Sequence, residues 1–90
     1  MTPEDKELVR GGILLQLKAS YPSALREALI LLNLRLISGM KQVGESDLLD
    51  QLRYLESKKM IARHERPLSA GAQEYTITQE GRAYLDEAGL

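Results

Sequence analysis

The segments LESKKMI (residues 55–61) and YTITQEGRAYL (residues 75–85) each change from one secondary-structure pattern to another. The first segment ends a run of apolar residues at helical spacing and continues into a polar strand. The second begins with the apolar–polar alternation of a strand and becomes helical after Thr78, a residue type that caps helix starts. These segments therefore predict helix, strand, loop, strand and helix, in that order.

The predicted hairpin runs from Met60 to Arg66 and returns from Gln73 to Ile77, with a loop between the strands that contains Gly71. A third helix is predicted before it, from Ser46 to Ser57, with apolar residues spaced for one buried face. The inward residues of that helix are Leu48, Leu52 and Leu55. A fourth helix is predicted to follow Thr78.

The first half of the chain predicts two longer helices. Thr2-Pro3-Glu4-Asp5 is typical of a helix start, because Thr caps, Pro suits the first turn and the acids complement the positive helix end. Helix 1 is expected to end before Tyr21-Pro22, since the residue before a proline avoids helical angles. Helix 2 is predicted to open at Ser23 and to close at Ser38-Gly39. A short linker at residues 40–44, with at most one bridge of strand, joins it to helix 3.

Helix 2 is apolar on all sides, which predicts that more than one of its faces is covered. Five of its positions repeat at helical spacing and are predicted to face the core: Leu25, Ala28, Leu29, Leu32 and Leu36. Because apolar residues cover its other sides too, we predict that the first two helices form a homodimer interface. The predicted interface residues are Leu8, Val9, Ile13, Leu17, Ile30, Leu31 and Leu34.

The composition is that of one globular domain, and residues 1–90 show no sign of an interdomain linker. Apolar residues make up 43% of the chain and charged residues 28%, which is ordinary for a folded protein. The absence of Cys excludes disulfides, thiolate zinc sites and cysteine nucleophiles. The polar N-terminus does not resemble a signal or transit peptide, and the longest apolar run, residues 28–32, is too short to cross a membrane. No membrane association and a cytoplasmic location are therefore expected.

No combination of residues predicts an enzyme or a cofactor site. His64 is the only histidine, so a metal site built on His is not expected. A serine triad needs a nucleophile in a strained turn or pocket, which nothing in the sequence indicates. Gly11-Gly12 lacks the spacing and the preceding strand of a phosphate-binding loop. We therefore expect no catalysis and no cofactor, and no small-molecule ligand is evident.

The chain resembles the winged helix-turn-helix domain of bacterial regulators of the PadR and MarR type. The resemblance rests on Leu52-x-x-Leu55-Glu56-x-x-x-Met60-Ile61 followed by Tyr75-x-Ile77-Thr78-x-x-Gly81-Arg82-x-x-Leu85. It implies an α+β fold, mainly α, with a three-helix core, a two-stranded wing and a C-terminal helix. It also implies that helix 3 reads the major groove of duplex DNA.

The outward face of helix 3 is the predicted DNA-reading surface. With the leucines turned inward, five side chains point outward: Ser46, Asp50, Arg53, Tyr54 and Ser57. Arg53 suits a bidentate contact to guanine, and the hydroxyl groups suit phosphates or base edges. Asp50 either accepts from cytosine or holds Arg53. The alternative is a solvated helix face with one exposed tyrosine.

The predicted wing adds positive charge beside that face. Five basic or titratable side chains are expected to contact the DNA backbone: Lys58, Lys59, Arg63, His64 and Arg66. The chain has a net charge of −1, but the acidic excess lies after residue 67, where Arg82 is the only basic residue. We therefore predict a small transcriptional regulator or accessory factor that binds duplex DNA with sequence preference.

An alternative interpretation is a winged-helix module that binds protein and not DNA. The slightly acidic net charge, the mixed charge of helix 3 and the surplus leucines of helix 2 favour it, because phosphate contacts supply most non-specific affinity for DNA. On this interpretation, a charged substitution at Ile30, Leu31 or Leu34 is expected to abolish a complex and to leave the fold intact.

Overall fold

The computed structural model describes residues 1–36, 39–65 and 73–90. This part of the chain contains four helices: α1 (Pro3–Ser20), α2 (Glu27–Leu36), α3 (Glu45–Ser57) and α4 (Gln79–Glu87). It also contains three strands: β1 (Leu25–Arg26), β2 (Ile61–Glu65) and β3 (Gln73–Ile77). The strands form an antiparallel sheet in the order β1-β3-β2. The fold is therefore α+β and mostly helical, as predicted.

Side-chain caps set the starts of α1 and α4, at the predicted threonines. The Thr2 hydroxyl accepts a hydrogen bond of 3.1 Å from the Asp5 amide, and the Thr2 amide donates to the Asp5 carboxylate at 3.3 Å. This reciprocal arrangement satisfies amides that a helix start leaves without a partner. The Thr78 hydroxyl accepts from the Gly81 amide at 3.2 Å and donates to the Lys59 carbonyl at 2.6 Å. Thr78 therefore both caps α4 and ties it to the turn before β2.

The chain before α2 forms a short strand that the sequence does not predict. Helix 2 is predicted from Ser23, but β1 precedes it and lies opposite Tyr75 and Glu74 of β3. That edge of β3 offers backbone groups that need partners, so pairing outweighs the helical preference of two residues. Helix α2 accordingly begins at Glu27. Residues 40–44 contain a turn and no bridge of strand.

The buried face of α2 is opposite to the predicted one. Ile30 and Leu34 are fully buried, whereas Leu29, Leu32 and Leu36 are 42%, 50% and 72% exposed. The predicted inward orientation is therefore wrong for these three leucines and for Ala28, which is also exposed. Leu25, the fifth residue, is partly buried and packs against the core. Both sets of residues repeat at helical spacing, so periodicity alone does not distinguish the two faces.

Contacts with α1 determine which face of α2 is buried. The Gln16 side chain donates to the Ile30 carbonyl at 3.2 Å and accepts from the Asn33 amide at 3.1 Å. These two bonds turn the Ile30 and Asn33 side of α2 towards α1. Leu29, Leu32 and Leu36, on the other side of α2, are left in contact with solvent.

The core contains six of the seven residues that the sequence assigns to a dimer interface. Helix α1 lies at its centre and packs against α2, α3, α4 and β3. The six buried residues are Val9, Ile13, Leu17, Ile30, Leu31 and Leu34. The interface prediction is wrong for them, because they pack within a single protomer. A charge at Ile30, Leu31 or Leu34 would be buried and would destabilise the fold. Leu8, the seventh residue, is 59% exposed.

Candidate nucleic-acid interface

Helix α3 turns its leucines inward and its polar side chains outward, as predicted. Leu48, Leu52 and Leu55 are buried in the core. The five residues predicted to face outward are all exposed: Ser46, Asp50, Arg53, Tyr54 and Ser57. They share one accessible face of α3. Their contact with DNA stays a prediction.

Tyr54 is flanked by two cationic side chains. The Arg10 guanidinium, from α1, lies 3.7 Å from the centroid of the Tyr54 ring, and the Lys58 ammonium lies 5.8 Å from it. The Nε group of Arg10 also donates a hydrogen bond of 2.7 Å to Gln51 of α3. Sequence analysis missed Arg10, because only the packing of α1 against α3 brings it to this surface and no pattern within α1 marks it.

The end of α3 presents two more cations. The Ser57 hydroxyl donates to the Tyr54 carbonyl at 2.6 Å, inside the last turn of the helix. Lys58 follows, and Lys59 has a φ of 60°, the left-handed conformation that reverses the chain into β2. Both lysines are exposed. Their ammonium groups therefore extend from the junction between α3 and the hairpin.

Arg63 is held by neighbours within the protein. Its guanidinium lies 3.5 Å from the Glu56 carboxylate of α3. In the amide orientation that satisfies both ends of Gln73, Arg63 donates to the Gln73 oxygen at 3.1 Å, and the Gln73 nitrogen donates to the Tyr75 hydroxyl at 3.0 Å. Arg63 thus links β2 to α3 and β3, in addition to any contact with DNA.

His64 points to the opposite side of β2 from Arg63, because successive side chains of a strand alternate. Its Nε2 atom lies 3.0 Å from the Thr76 hydroxyl of β3, and the side chain is exposed. Arg66, the last of the predicted wing residues, lies outside the described residues. The fold therefore places four of the five predicted wing residues at the end of α3 and along β2.

Tyr75 connects the hairpin to α2 beneath this surface. Its side chain is buried, and its hydroxyl donates a hydrogen bond of 2.9 Å to the Glu27 carboxylate. Burial and the adjacent Glu27 carboxylate raise the pKa of Tyr75 well above its usual value. Tyr75 therefore stays protonated and acts as a hydrogen-bond donor at neutral pH.

Ion pairs compensate little of the positive charge on this surface. Among the described side chains, which leave out that of Glu65, Arg63–Glu56 is the only ion pair. Among the same side chains, no carboxylate lies at ion-pair distance from Arg10, Arg53 or Lys58. Asp50 shares the exposed face of α3 and lowers its positive potential. Arg53 lies on the face itself, and Lys58 and Lys59 lie at its end.

The described ranges of the chain bring no three His, Asp or Glu side chains together as a metal-binding group. None of the helices described combines the length and the hydropathy that crossing a bilayer requires. An open cleft lies between the start of α1 and the turn before α3, with Leu8, Val9 and Met40 in its wall. The wall of this cleft is mostly apolar and also includes Asp5 and Lys41.

The chain matches no protein-family model, and no curated protein is significantly similar to it.

Proposed function

We propose that this chain is a winged-helix protein that binds duplex DNA through α3, as a bacterial transcriptional regulator or accessory factor in the cytoplasm. The observation that carries the proposal is the exposed polar face of α3. This face holds Arg53 and Tyr54 and lies next to the β2–β3 hairpin. A helix with such a face fits the major groove, which is about 12 Å wide in B-form DNA.

The element order supports the winged-helix part of the proposal. Three helices precede the hairpin, and β1, between α1 and α2, joins the sheet beside β3. The hairpin follows α3 directly, and β2 packs against α3. Because one fold carries many functions, the support for DNA binding comes from the side chains.

In the proposed complex, α3 reads bases and its flanks hold the backbone. Arg53 donates two hydrogen bonds to the O6 and N7 atoms of guanine, the geometry that its planar guanidinium favours. The hydroxyl groups of Ser46, Tyr54 and Ser57 contact phosphates or base edges. Asp50 accepts from the amino group of cytosine, which makes it a reader and not a phosphate contact.

The backbone contacts come from the junction between α3 and the hairpin. Lys58 and Lys59 extend from this junction, and His64 lies further along β2. Arg66, which lies outside the described residues, is proposed to contact the DNA backbone as well. Arg63 has partners in Glu56 and Gln73, so we assign it mainly to holding the hairpin against α3.

A homodimer is the second part of the proposal, formed by the exposed leucines of α1 and α2. These residues are Leu8, Leu15, Leu29, Leu32 and Leu36, each between 41% and 72% exposed. The leucines of α2 follow an i, i+3, i+7 spacing, which suits the pairing of two helices. A two-fold dimer would bury the same leucines on both copies and present two α3 helices to a palindromic site.

The test of DNA binding is fluorescence anisotropy of a labelled random duplex at about 50 mM and about 200 mM salt. We expect binding at low salt that weakens steeply at high salt, because each phosphate contact releases counterions. Absence of binding at both salt concentrations would contradict the proposal.

A protein-interaction module is the second candidate, and the five exposed leucines favour it. Exposed apolar residues that lie together mark an interaction site, and Leu29, Leu32 and Leu36 share one side of α2. This candidate predicts a dimer or a larger complex in solution with no affinity for DNA at either salt concentration. The anisotropy titration and a molar-mass measurement on the same sample therefore separate the two functions.

A further inference from the structure

Arg10 is held in place by a side chain that is itself buried. Gln51 of α3 is only 4% exposed, and its amide oxygen accepts the hydrogen bond of 2.7 Å from the Arg10 Nε group. Since a buried amide oxygen needs a donor, Gln51 fixes the direction in which the Arg10 guanidinium points. This bond uses the Nε group and leaves the two terminal nitrogens of the guanidinium to other partners.

The ring of Tyr54 fixes the plane of the same guanidinium. Arg10 lies 3.7 Å from the ring centroid, which is the distance of close stacking, and Lys58 approaches the same ring at 5.8 Å. Two cations therefore gather around one aromatic ring. Among the side chains that the structure describes, which leave out that of Glu65, no carboxylate forms an ion pair with either cation. An anion placed between them would relieve their mutual repulsion.

Arg10 contacts Gln51 and Tyr54 of α3, and Lys58, the C-cap of this helix, approaches the Tyr54 ring. Gln51, Tyr54 and Lys58 are spaced i, i+3 and i+7, so they share one side of α3. That side borders the exposed face that carries Asp50 and Arg53. A group bound at Arg10 would therefore lie along the flank of the proposed reading face, where the backbone of a duplex passes a helix in the major groove.

We infer that Arg10, Tyr54 and Lys58 form a clamp for one backbone phosphate of duplex DNA, with Gln51 as a positioning residue. This inference rests on the proposed function and adds α1 to the DNA-binding surface. The terminal nitrogens of Arg10 donate to the phosphate oxygens, which their planar geometry matches. Because the guanidinium is oriented before binding, less conformational entropy is lost when the phosphate arrives.

The test uses Arg10→Ala and Arg10→Lys in anisotropy titrations with a random duplex between about 50 mM and about 200 mM salt. Arg10→Ala removes one phosphate contact, so the slope of log affinity against log salt is expected to decrease by about 0.9. The ratio of wild-type affinity to Arg10→Ala affinity is then expected to fall about three-fold as the salt concentration rises across that range. This ratio should be the same for duplexes of different sequence, since a phosphate carries no base identity.

Arg10→Lys distinguishes a clamp from a simple positive charge. It keeps the charge and so the salt slope, but it loses the stacked plane and the bond that Nε makes to Gln51. We expect weaker binding with an unchanged slope. This conservative variant also carries the test if Arg10→Ala fails to fold.

Arg82→Ala is a matched control, because Arg82 of α4 also stacks on a tyrosine. Its guanidinium lies 4.0 Å from the ring of Tyr21. Tyr21 follows the last residue of α1 and lies about 16 Å from Arg10 along the axis of that helix. We expect its affinity and salt slope to equal those of the wild-type protein. Thermal unfolding of each variant, followed by circular dichroism, reports whether the fold is retained.

Two failures have different meanings. If the wild-type protein binds DNA, and a folded Arg10→Ala variant has the wild-type affinity and slope, the clamp is wrong and the proposed function stands. Wild-type affinity in Arg10→Lys also overturns the clamp. If the wild-type protein binds no duplex at either salt concentration, the proposed function is wrong, and the clamp is rejected with it.

Discussion

The Tyr75 hydroxyl donates a hydrogen bond of 2.9 Å to the Glu27 carboxylate and so joins β3 to the first turn of α2. The same hydroxyl accepts from Gln73, whose oxygen accepts from Arg63, and Arg63 is ion-paired with Glu56 of α3. A chain of polar contacts therefore connects α2, the sheet and α3. These are the elements whose relative positions the proposed DNA-binding surface depends on.

Tyr75→Phe is expected to lower the free energy of unfolding by about 1–3 kcal/mol, because Glu27 and Gln73 lose a partner in a partly buried site. Urea denaturation measures the change. Tyr84→Phe is the matched control: Tyr84 is partly buried, and in the described part of the chain its hydroxyl makes no hydrogen bond. The control should change stability by less than about 0.5 kcal/mol. Equal losses in the two variants would contradict a stabilising role for the Tyr75 bond.

The stability of the protein at alkaline pH is expected to depend on Tyr75. Burial and Glu27 raise the pKa of Tyr75 in the folded state, so the folded state keeps this proton at a pH where the unfolded chain releases it. Above about pH 10, the usual pKa of Tyr, the unfolded state binds fewer protons than the folded state. The free energy of unfolding should therefore fall as the pH rises, by up to about 1.4 kcal/mol per unit for this group.

Urea denaturation at about pH 9 and about pH 11 measures this dependence, on either side of the usual pKa of Tyr. Tyr75→Phe lacks the titrating group, so its stability should fall less over that interval. All other titratable groups are common to the two proteins, so the informative quantity is the difference between their changes in unfolding free energy over this interval. Identical changes would show that Tyr75 titrates alike in the folded and unfolded states.

Gly81→Ala is expected to destabilise the fold by about 1–3 kcal/mol, because its position in the first turn of α4 has no room for a side chain. A Cβ at this position would overlap the Met60 carbonyl oxygen and would lie 2.8 Å from Ile77. Gly11→Ala is the control, since a Cβ there meets only the end of the Leu90 side chain, at 3.3 Å. Within a helix this control should gain up to about 1 kcal/mol. Urea denaturation measures both changes. If both variants were destabilised, or both stabilised, the proposed difference in space around Gly81 and Gly11 would be contradicted.

Local signals in the sequence predicted α3 and the hairpin well, and the caps of α1 and α4. Thr2 and Thr78 act through bonds to residues three positions away, so their effect is encoded within one turn. The leucines of α3 form one stripe beside polar residues, which leaves a single way to bury the helix.

Features that depend on distant contacts were not predicted. The apolar residues of α2 leave two faces that could be buried, and Gln16 of α1 determines the choice through Ile30 and Asn33. The strand β1 exists because β3 offers it an edge. Arg10 reaches the candidate DNA-binding surface because α1 packs on α3. Each of these depends on elements that meet only in the folded protein.

Leu32→Glu is expected to break the proposed dimer and to leave the fold intact, because Leu32 is 50% exposed in the protomer. Leu34→Glu, two positions along the same helix, should unfold the protein, since Leu34 is fully buried and a carboxylate there would lack a partner. Sedimentation equilibrium gives the molar mass, and circular dichroism gives the helix content. A folded Leu32→Glu variant with the molar mass of a dimer would place the dimer interface elsewhere.

Arg53→Ala is expected to change sequence preference, because a bidentate contact to guanine distinguishes this base pair from the others. Selection from a pool of random duplexes would first define the preferred site of the wild-type protein. Arg53→Ala should then bind that site about 1–3 kcal/mol more weakly and should lose discrimination at one base pair. Anisotropy titrations with single-base variants of the site measure both effects.

Lys59→Ala is the contrasting variant, since Lys59 is exposed at the junction between α3 and β2 and is proposed to contact phosphate. It should weaken binding to all duplexes equally and lower the salt slope by about 1, while the order of preferred sequences stays the same. If Arg53→Ala behaves in the same uniform way, Arg53 contacts the backbone and not a base. In that case α3 would lie along the groove edge, and the base contacts would have to come from other residues on its exposed face.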